Sequence, residues 1–172
     1  MIVKVDPSGV AGVGVKVGAS LWRLGVDTPD YTDDDASGLG AKTAGGRWNR
    51  KGTAMVYASS SRALSCLETL VHLGSNLPLN RYLVRIDIPM DVWKAASTIT
   101  ADDFVGWDAE PAGKVSLDIG TEWVESKSSL VLKVPSVVVP EEFNVLLNPA
   151  HPDASKLTFT KVRKWLYDPR LI

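Results

Sequence analysis

The sequence predicts an α+β fold, a central mixed, mostly antiparallel β-sheet flanked by helices, in a single domain over residues 1–172. Three observations lead there. Side chains alternate between faces at Thr53 to Ala58, Arg81 to Ile88 and Leu157 to Val162, the period of two that marks strands. A helix from Arg62 to Leu73 is punctuated at both ends, by the serines at 59 to 61 as N-cap residues and by Gly74 as a C′ glycine. A chain of 172 residues is long enough for one domain with a sizeable core.

The stretch from Gly45 to Leu73 reads as loop, strand and helix. Gly45-Gly46 permits backbone conformations closed to other residues and presents Arg47, Trp48 and Asn49 on a loop, where binding residues concentrate. Tyr57 falls near the end of the strand. At about 100° per residue the helix gathers Ala63, Leu64, Cys66, Leu67, Leu70, Val71 and Leu73 on one arc and sets Arg62, Ser65, Thr69 and His72 opposite. Glu68 lies just past the edge of that arc. Such an acid either covers the rim of the core or stands, partly desolvated, at the wall of a cleft.

Before this stretch, residues 1–19 are rich in Gly and Val and read as an N-terminal arm or an edge hairpin. Leu21 to Leu24 is a short strand that points Arg23 away from its apolar neighbours, and a guanidinium so placed usually meets a carboxylate or phosphate. Asp27 to Gly40 has the composition of a surface loop, and its Asp33-Asp34-Asp35 reads as solvated acid, lacking the spaced ligands and closing glutamate of a calcium loop. After the helix, Arg81 to Ile88 is a strand stopped by Pro89, and Lys114 to Glu125 a short helix. Ser129 to Val139 reads as a strand, a break at Pro135-Ser136 and a second strand. Asn144 and Asn148-Pro149 mark turns.

Composition excludes several classes. A net charge of −1 and no long basic run argue against direct nucleic-acid binding. No apolar run approaches the roughly 20 residues of a membrane span, and the N-terminus lacks the regions of a signal peptide. The single cysteine, Cys66, forms no internal disulfide and suits a reducing cytoplasm. The two histidines, His72 and His151, have no partner at metal-ligand spacing, so no metal site is expected. A Gly-x-Ser-x-Gly elbow for a hydrolase is missing. Of the six tryptophans, at least four are expected to fill the core.

Taken together, Trp22-Arg23, Gly46-Arg47-Trp48-Asn49, Val56-Tyr57-Ala58, Leu67-Glu68, Leu132-Lys133-Val134-Pro135-Ser136, and Asn144 with Asn148-Pro149-x-His151-Pro152 resemble the RES-domain family, nearly end to end. The resemblance implies a fold related to mono-ADP-ribosyltransferases and the toxin of a bacterial Xre/RES toxin–antitoxin pair. It also implies NAD+ as substrate, no prosthetic group, and a helix-turn-helix Xre-type antitoxin as partner. A homodimer within that complex is compatible with the sequence.

Carried over by position, Arg23 and Arg47 match the family's active-site arginines, Tyr57 its aromatic residue and Glu68 its glutamate. For the family's serine, Ser129 is the first choice, with Ser126, Ser128 and Ser136 left open. Where some relatives carry tyrosine after the first arginine, this chain has Leu24. The residue types suit the implied chemistry. Cleaving the nicotinamide–ribose bond builds positive charge on the ribose, which an anionic Glu68 would stabilise. Arg23 and Arg47 would form a basic pocket for the pyrophosphate, Tyr57 would stack on nicotinamide, and Asn49 and Ser129 would bind substrate. Glycohydrolase or phosphorylase activity that depletes NAD+ is the first reading. Mono-ADP-ribosylation of a protein and a non-enzymatic module for a phosphorylated ligand are the alternatives.

Overall fold

A computed structural model describes residues 16–72 and 79–171. One seven-stranded sheet runs through them: β1 (Val17–Val26), β2 (Val56–Ser59), β3 (Arg81–Pro89), β4 (Ser97–Thr98), β5 (Val131–Pro135), β6 (Phe143–Leu147) and β7 (Thr158–Trp165), in the order β4-β5-β6-β2-β1-β3-β7. Only β4 and β5 pair in parallel, so the sheet is mixed and mostly antiparallel, as the sequence predicts. Four helices accompany it: α1 (Leu39–Ala44), α2 (Arg62–Leu70), α3 (Met90–Lys94) and α4 (Lys114–Ser126).

Both faces of the sheet are covered, which is why its inner strands carry buried apolar residues on each side. Leu21, Val56, Ala58, Val84, Ile86, Ile88 and Val145 pack on one face, joined by Val92 of α3. On the other, Leu24 and Leu83 meet Cys66 of α2, while Trp48, Met55, Trp107, Trp123, Leu132 and Leu146 form a second cluster beneath α4. Trp48 and Trp107 stack with ring centroids 6.1 Å apart. Gly120 lets α4 approach this closely, since a Cβ there would lie 1.8 Å from the carbonyl oxygen of Trp48. Three tryptophans, Trp48, Trp107 and Trp123, are buried; Trp22, Trp93 and Trp165 are half-buried at its margins, fewer fully inside than expected.

The structure departs from the sequence reading at five places. Of the expected N-terminal arm, residues 1–15 lie outside the described residues, but Val17 to Ser20 already belong to β1, an inner strand between β2 and β3. Helix α2 ends at Leu70, and Gly74 lies outside the described residues. That helix is also rolled relative to its hydrophobic arc: Ser65 is buried, whereas Leu67 and Val71 are 39% and 57% exposed. Among the described residues of the apolar arc, Leu64 and Cys66 are the buried ones, in the N-terminal half of a helix that packs on β1 and β2.

The expected second strand over Val137 to Val139 is a turn. Ser136 Oγ accepts hydrogen bonds from the backbone N–H groups of Val138 and Val139, 3.1 and 3.0 Å away, bending the chain where a strand would need those groups for a ladder. The strand forms instead at β6, across Asn144, where turns were expected. Asp33 is the fifth departure. It is fully buried, not solvated, and Lys161 Nζ on β7 stands 2.6 Å from its carboxylate. Burial pushes the Asp33 carboxyl above its ordinary value, and the Lys161 ammonium opposes that shift.

Removing Lys161 should therefore cost more than neutralising its partner. Urea unfolding of Lys161→Ala is expected to show a loss of about 2–3 kcal/mol, below the full penalty for orphaning a buried charge because this lysine stays half-exposed. Asp33→Asn should lose clearly less. Equal losses would mean that the buried carboxylate does not depend on the lysine.

Candidate functional site

Of the residues singled out in the sequence, Arg47, Asn49, Tyr57 and Glu68 are held by two neighbouring constructions on the α2 face of the sheet. The first is a knot in the loop before β2. Gly45 takes φ +76°, a conformation that favours glycine, and Gly46 and Asn49 form a β-bridge that closes the turn. Asn49 is completely buried. Its Nδ2 donates to the carbonyls of Ala41, Arg50 and Thr53 at 2.9, 3.2 and 2.9 Å, and its Oδ1 accepts the Tyr57 hydroxyl at 2.7 Å. Tyr57 in turn accepts from the Trp48 backbone N–H at 3.0 Å. Burial pushes the Tyr57 phenol far above its ordinary value, so it stays a neutral donor. No donor of Asn49 is left over for a ligand. Its part is to shape the loop that presents Arg47.

Arg47 leans across to the segment before α4. Its Nη1 donates to the carbonyls of Trp107 and Ala109, 3.3 and 2.8 Å away, and its Nη2 meets the Glu110 carboxylate at 2.7 Å. The arginine side chain is 20% exposed and the glutamate 79%. The two carbonyls aim the guanidinium, and an exposed carboxylate is the anion it holds.

The second construction surrounds Glu68. Ser61 caps α2 by accepting from the Leu64 N–H at 3.0 Å and donates to Glu142 at 2.8 Å, which ties the start of the helix to the residue before β6. Two turns on, the half-buried Glu68 receives two hydrogen bonds on one oxygen, Oε1. Ser136 Oγ donates at 2.7 Å, and Asn144 Nδ2 donates in a short contact. Ser136 is fully buried, and with one bond given and two backbone N–H groups accepted its hydroxyl is fully used. Asn144 lies opposite Ser59 in the β2–β6 register, and Ser59 Oγ donates to its Oδ1 at 2.8 Å. Tyr57 and Ser59 point to the same face, about 7 Å apart at the usual strand rise. They link the two constructions.

Two sequence-predicted residues stand elsewhere. Arg23 shares the face of Leu21, opposite to Trp22, Leu24 and α2; there its Nη1 donates to the Asp35 carbonyl at 2.9 Å. Burial draws the guanidinium below its ordinary value, while Asp35 and Tyr31 work against that shift. Arg23 and Arg47 thus do not form one basic pocket. Ser129 is buried at the far end of β5, bonded to Trp123 Nε1 at 2.9 Å, Ser97 Oγ at 2.9 Å and the Val131 carbonyl at 3.0 Å. The length of β5 separates it from Glu68, and the serine that reaches the glutamate is Ser136. Ser126, the last residue of α4, donates to Ser128 at 3.1 Å.

The sequence reading missed Ser59, Asn144 and Arg62, whose guanidinium lies 3.8 Å above the Trp22 ring on the α2 face. The available signal was Asn144 itself, a polar residue at the head of an apolar run. Asn49, Ser59 and Ser136 of the constellation are buried, and Glu68 and Tyr57 half-buried. Cavities of about 270 Å³ beside Val56, Leu147 and Phe159, and beside Lys133, Glu142 and Phe143, include neither Glu68 nor Tyr57 nor Arg47. Among the described residues, no cluster of ligating side chains could hold a metal, and no helix is long and apolar enough to cross a membrane.

The knot can be tested through Tyr57. Tyr57→Phe leaves the Trp48 N–H and Asn49 Oδ1 without their partner, and should cost about 1–3 kcal/mol in denaturant unfolding. Faster hydrogen exchange at Trp48 should accompany the loss, and an unchanged exchange rate there would count against the knot.

Comparison with known proteins places the chain by family and by fold. The RES domain family matches residues 20–168. A Sphingobium protein described as a Prs ADP-ribosylating toxin is 59% identical over 155 residues, covering 89% of this chain and 96% of the relative. A Toxin Res of Yersinia enterocolitica is 43% identical, covering 82% and 93% of the two chains. In fold, the chain is similar to one in the crystal structure of the M. tuberculosis MbcT–MbcA toxin–antitoxin complex. The TM-score is 0.59 at 14% identity, over 89% of this chain and 86% of the other. A match over nearly the whole described sheet, joined to relatives of this identity, makes the chain a member of the RES-domain family.

Proposed function

We propose that this chain is a toxin that cleaves the bond between nicotinamide and ribose in NAD+. The observation that carries the reading is the Glu68 carboxylate, fixed through one oxygen by Ser136 and Asn144 on the face that also bears Tyr57 and the Arg47 loop. As the C–N bond breaks, its electron pair leaves with nicotinamide and the ribose carbon becomes oxocarbenium-like. A carboxylate already oriented needs no reorganisation to stabilise that charge. An oxygen nucleophile then captures the sugar and releases a proton. Arg47 supplies a two-pronged cation for the pyrophosphate, which would displace the exposed Glu110 carboxylate. The Tyr57 ring packs against the Trp48 cluster and its hydroxyl is committed to the loop, so its part in the reaction would be to hold the wall of the site beside the Arg47 loop.

The acceptor distinguishes two readings. Water or phosphate would make the enzyme a consumer of free NAD+. Transfer to a protein is favoured by the relative at 59% identity, whose description is an ADP-ribosylating toxin. As partner we propose an Xre-type antitoxin, supported by the family's membership and by the similarity in fold to a toxin–antitoxin chain. Inhibition would come by covering the site. Arg47 accepts an acidic side chain from its own molecule, and an acidic segment of the antitoxin could take the same place.

Purified protein should release nicotinamide from NAD+ with water, with phosphate or with cell extract. Labelled NAD+ in extract would identify a protein acceptor. Glu68→Gln, nearly isosteric, is expected to lower the release rate on the order of 10² to 10³ while leaving thermal unfolding unchanged. Wild-type turnover in that variant would sink the assignment. Arg47→Lys should raise KM for NAD+, since lysine cannot make the two-pronged contact; an unaltered KM would remove Arg47 from the site.

A further inference from the structure

We infer that Ser59 and Asn144 are positioning residues that act on the reaction through Glu68. The inference rests on the proposed role of Glu68 as the group that stabilises the ribosyl cation. Neither residue is needed to contact substrate for this.

The direction of every hydrogen bond in the relay is set by chemistry. A carboxylate accepts only, so the Asn144 carboxamide must turn its Nδ2 to Glu68 Oε1. Its Oδ1 then faces Ser59, whose hydroxyl has to donate, at 2.8 Å. With the amide reversed, Oδ1 would oppose the carboxylate. The carboxylate therefore sets the amide's orientation, and the Ser59 hydroxyl, donating to Oδ1, holds the far end of the carboxamide in place. Ser59 is buried, and its pairing with Asn144 in the β2–β6 register leaves the hydroxyl little choice of partner.

The relay makes the two carboxylate oxygens unequal. Ser136 and Asn144 both donate to Oε1. Among the described residues Oε2 receives no comparable bond, which leaves it as the oxygen turned toward developing positive charge. Asn144 anchors Glu68 from the strand and Ser136 from the β5–β6 turn, so the carboxylate cannot rotate without breaking a charge-assisted bond. Strand geometry thus fixes the direction of the catalytic charge.

The test combines kinetics with an observation that needs no turnover. Asn144→Leu is expected to lower kcat about tenfold to a hundredfold, the worth of one hydrogen bond to a charged group, with KM for NAD+ little changed. Ser59→Ala should lower kcat in the same sense, and Ser59→Thr, which keeps a hydroxyl, should restore it. Adding Ser59→Ala to Asn144→Leu should cost nothing further, because the middle of the relay is already gone. In 15N-labelled protein, the Asn144 side-chain amide protons should exchange slowly in the wild type and faster in Ser59→Ala.

Absence of nicotinamide release from the wild type under all acceptors would overturn the proposed function, while the amide exchange would still decide whether the relay exists. If Glu68→Gln abolishes release but Ser59→Ala keeps full kcat, the relay is wrong. Additive losses in the double variant, or amide exchange unaffected by Ser59→Ala, would overturn it as well.

Discussion

The register between β2 and β6 is the constraint on which the site depends. It sets Tyr57 opposite Leu146 and Ser59 opposite Asn144, so aromatic, hydroxyl and carboxamide share one face with α2. Because side chains in a strand alternate, a slip of one residue would move Asn144 into the apolar layer and expose Val145, a fully buried residue. The hydrophobic pattern of β6 therefore holds a polar contact in place. The bond from Ser60 N–H to the Phe143 carbonyl at 3.2 Å carries the pairing one step further, to the threshold of α2. Capping by Ser61 follows at once, which places the helix, and with it Glu68, relative to the strand that supplies its partner.

How much of this could be read from the sequence depends on whether a signal was local. Alternation at Thr53 to Ala58 and at Arg81 to Ile88 found β2 and β3; serines before an apolar helix found the start of α2, and Lys114 to Glu125 became α4. These are properties of neighbouring residues. Strand β6 was hidden because Asn144 and Asn148-Pro149 carry turn chemistry, and only pairing with β2 makes Asn144 a strand residue. Alternation did put Arg23 opposite Trp22, but which face would carry α2 is a tertiary outcome that no local pattern contains. Ser129 and Ser136 sit at the two ends of one strand, equal in sequence terms, and the position of Glu68 alone tells them apart.

Stability and site geometry draw on different parts of the molecule. The Asp33–Lys161 pair fastens the loop after β1 to the edge strand β7, on the side away from Glu68. Lysine and arginine at 161, 163 and 164 also discourage that open edge from pairing with another chain. The Asn49–Tyr57 knot, by contrast, is made wholly of residues 41–57 and keeps its shape through bonds that no ligand needs to complete. Arg47 can then exchange one anion for another without disturbing the loop that carries it.

The bonds around Glu68 join segments far apart in the chain, 68 residues apart for Ser136 and 76 for Asn144. A ribosome extruding this polypeptide releases the Arg47 loop, Tyr57 and Glu68 long before it releases the residues that orient the carboxylate. From residue 68 to residue 144 the nascent chain holds Arg47, Tyr57 and Glu68 without the strand that orients the carboxylate, because contacts of such separation close only after the intervening strands are available. The arrangement around Glu68 therefore closes only once β6 has been made, and a product truncated before β6 would carry the carboxylate without the Asn144 bond that orients it.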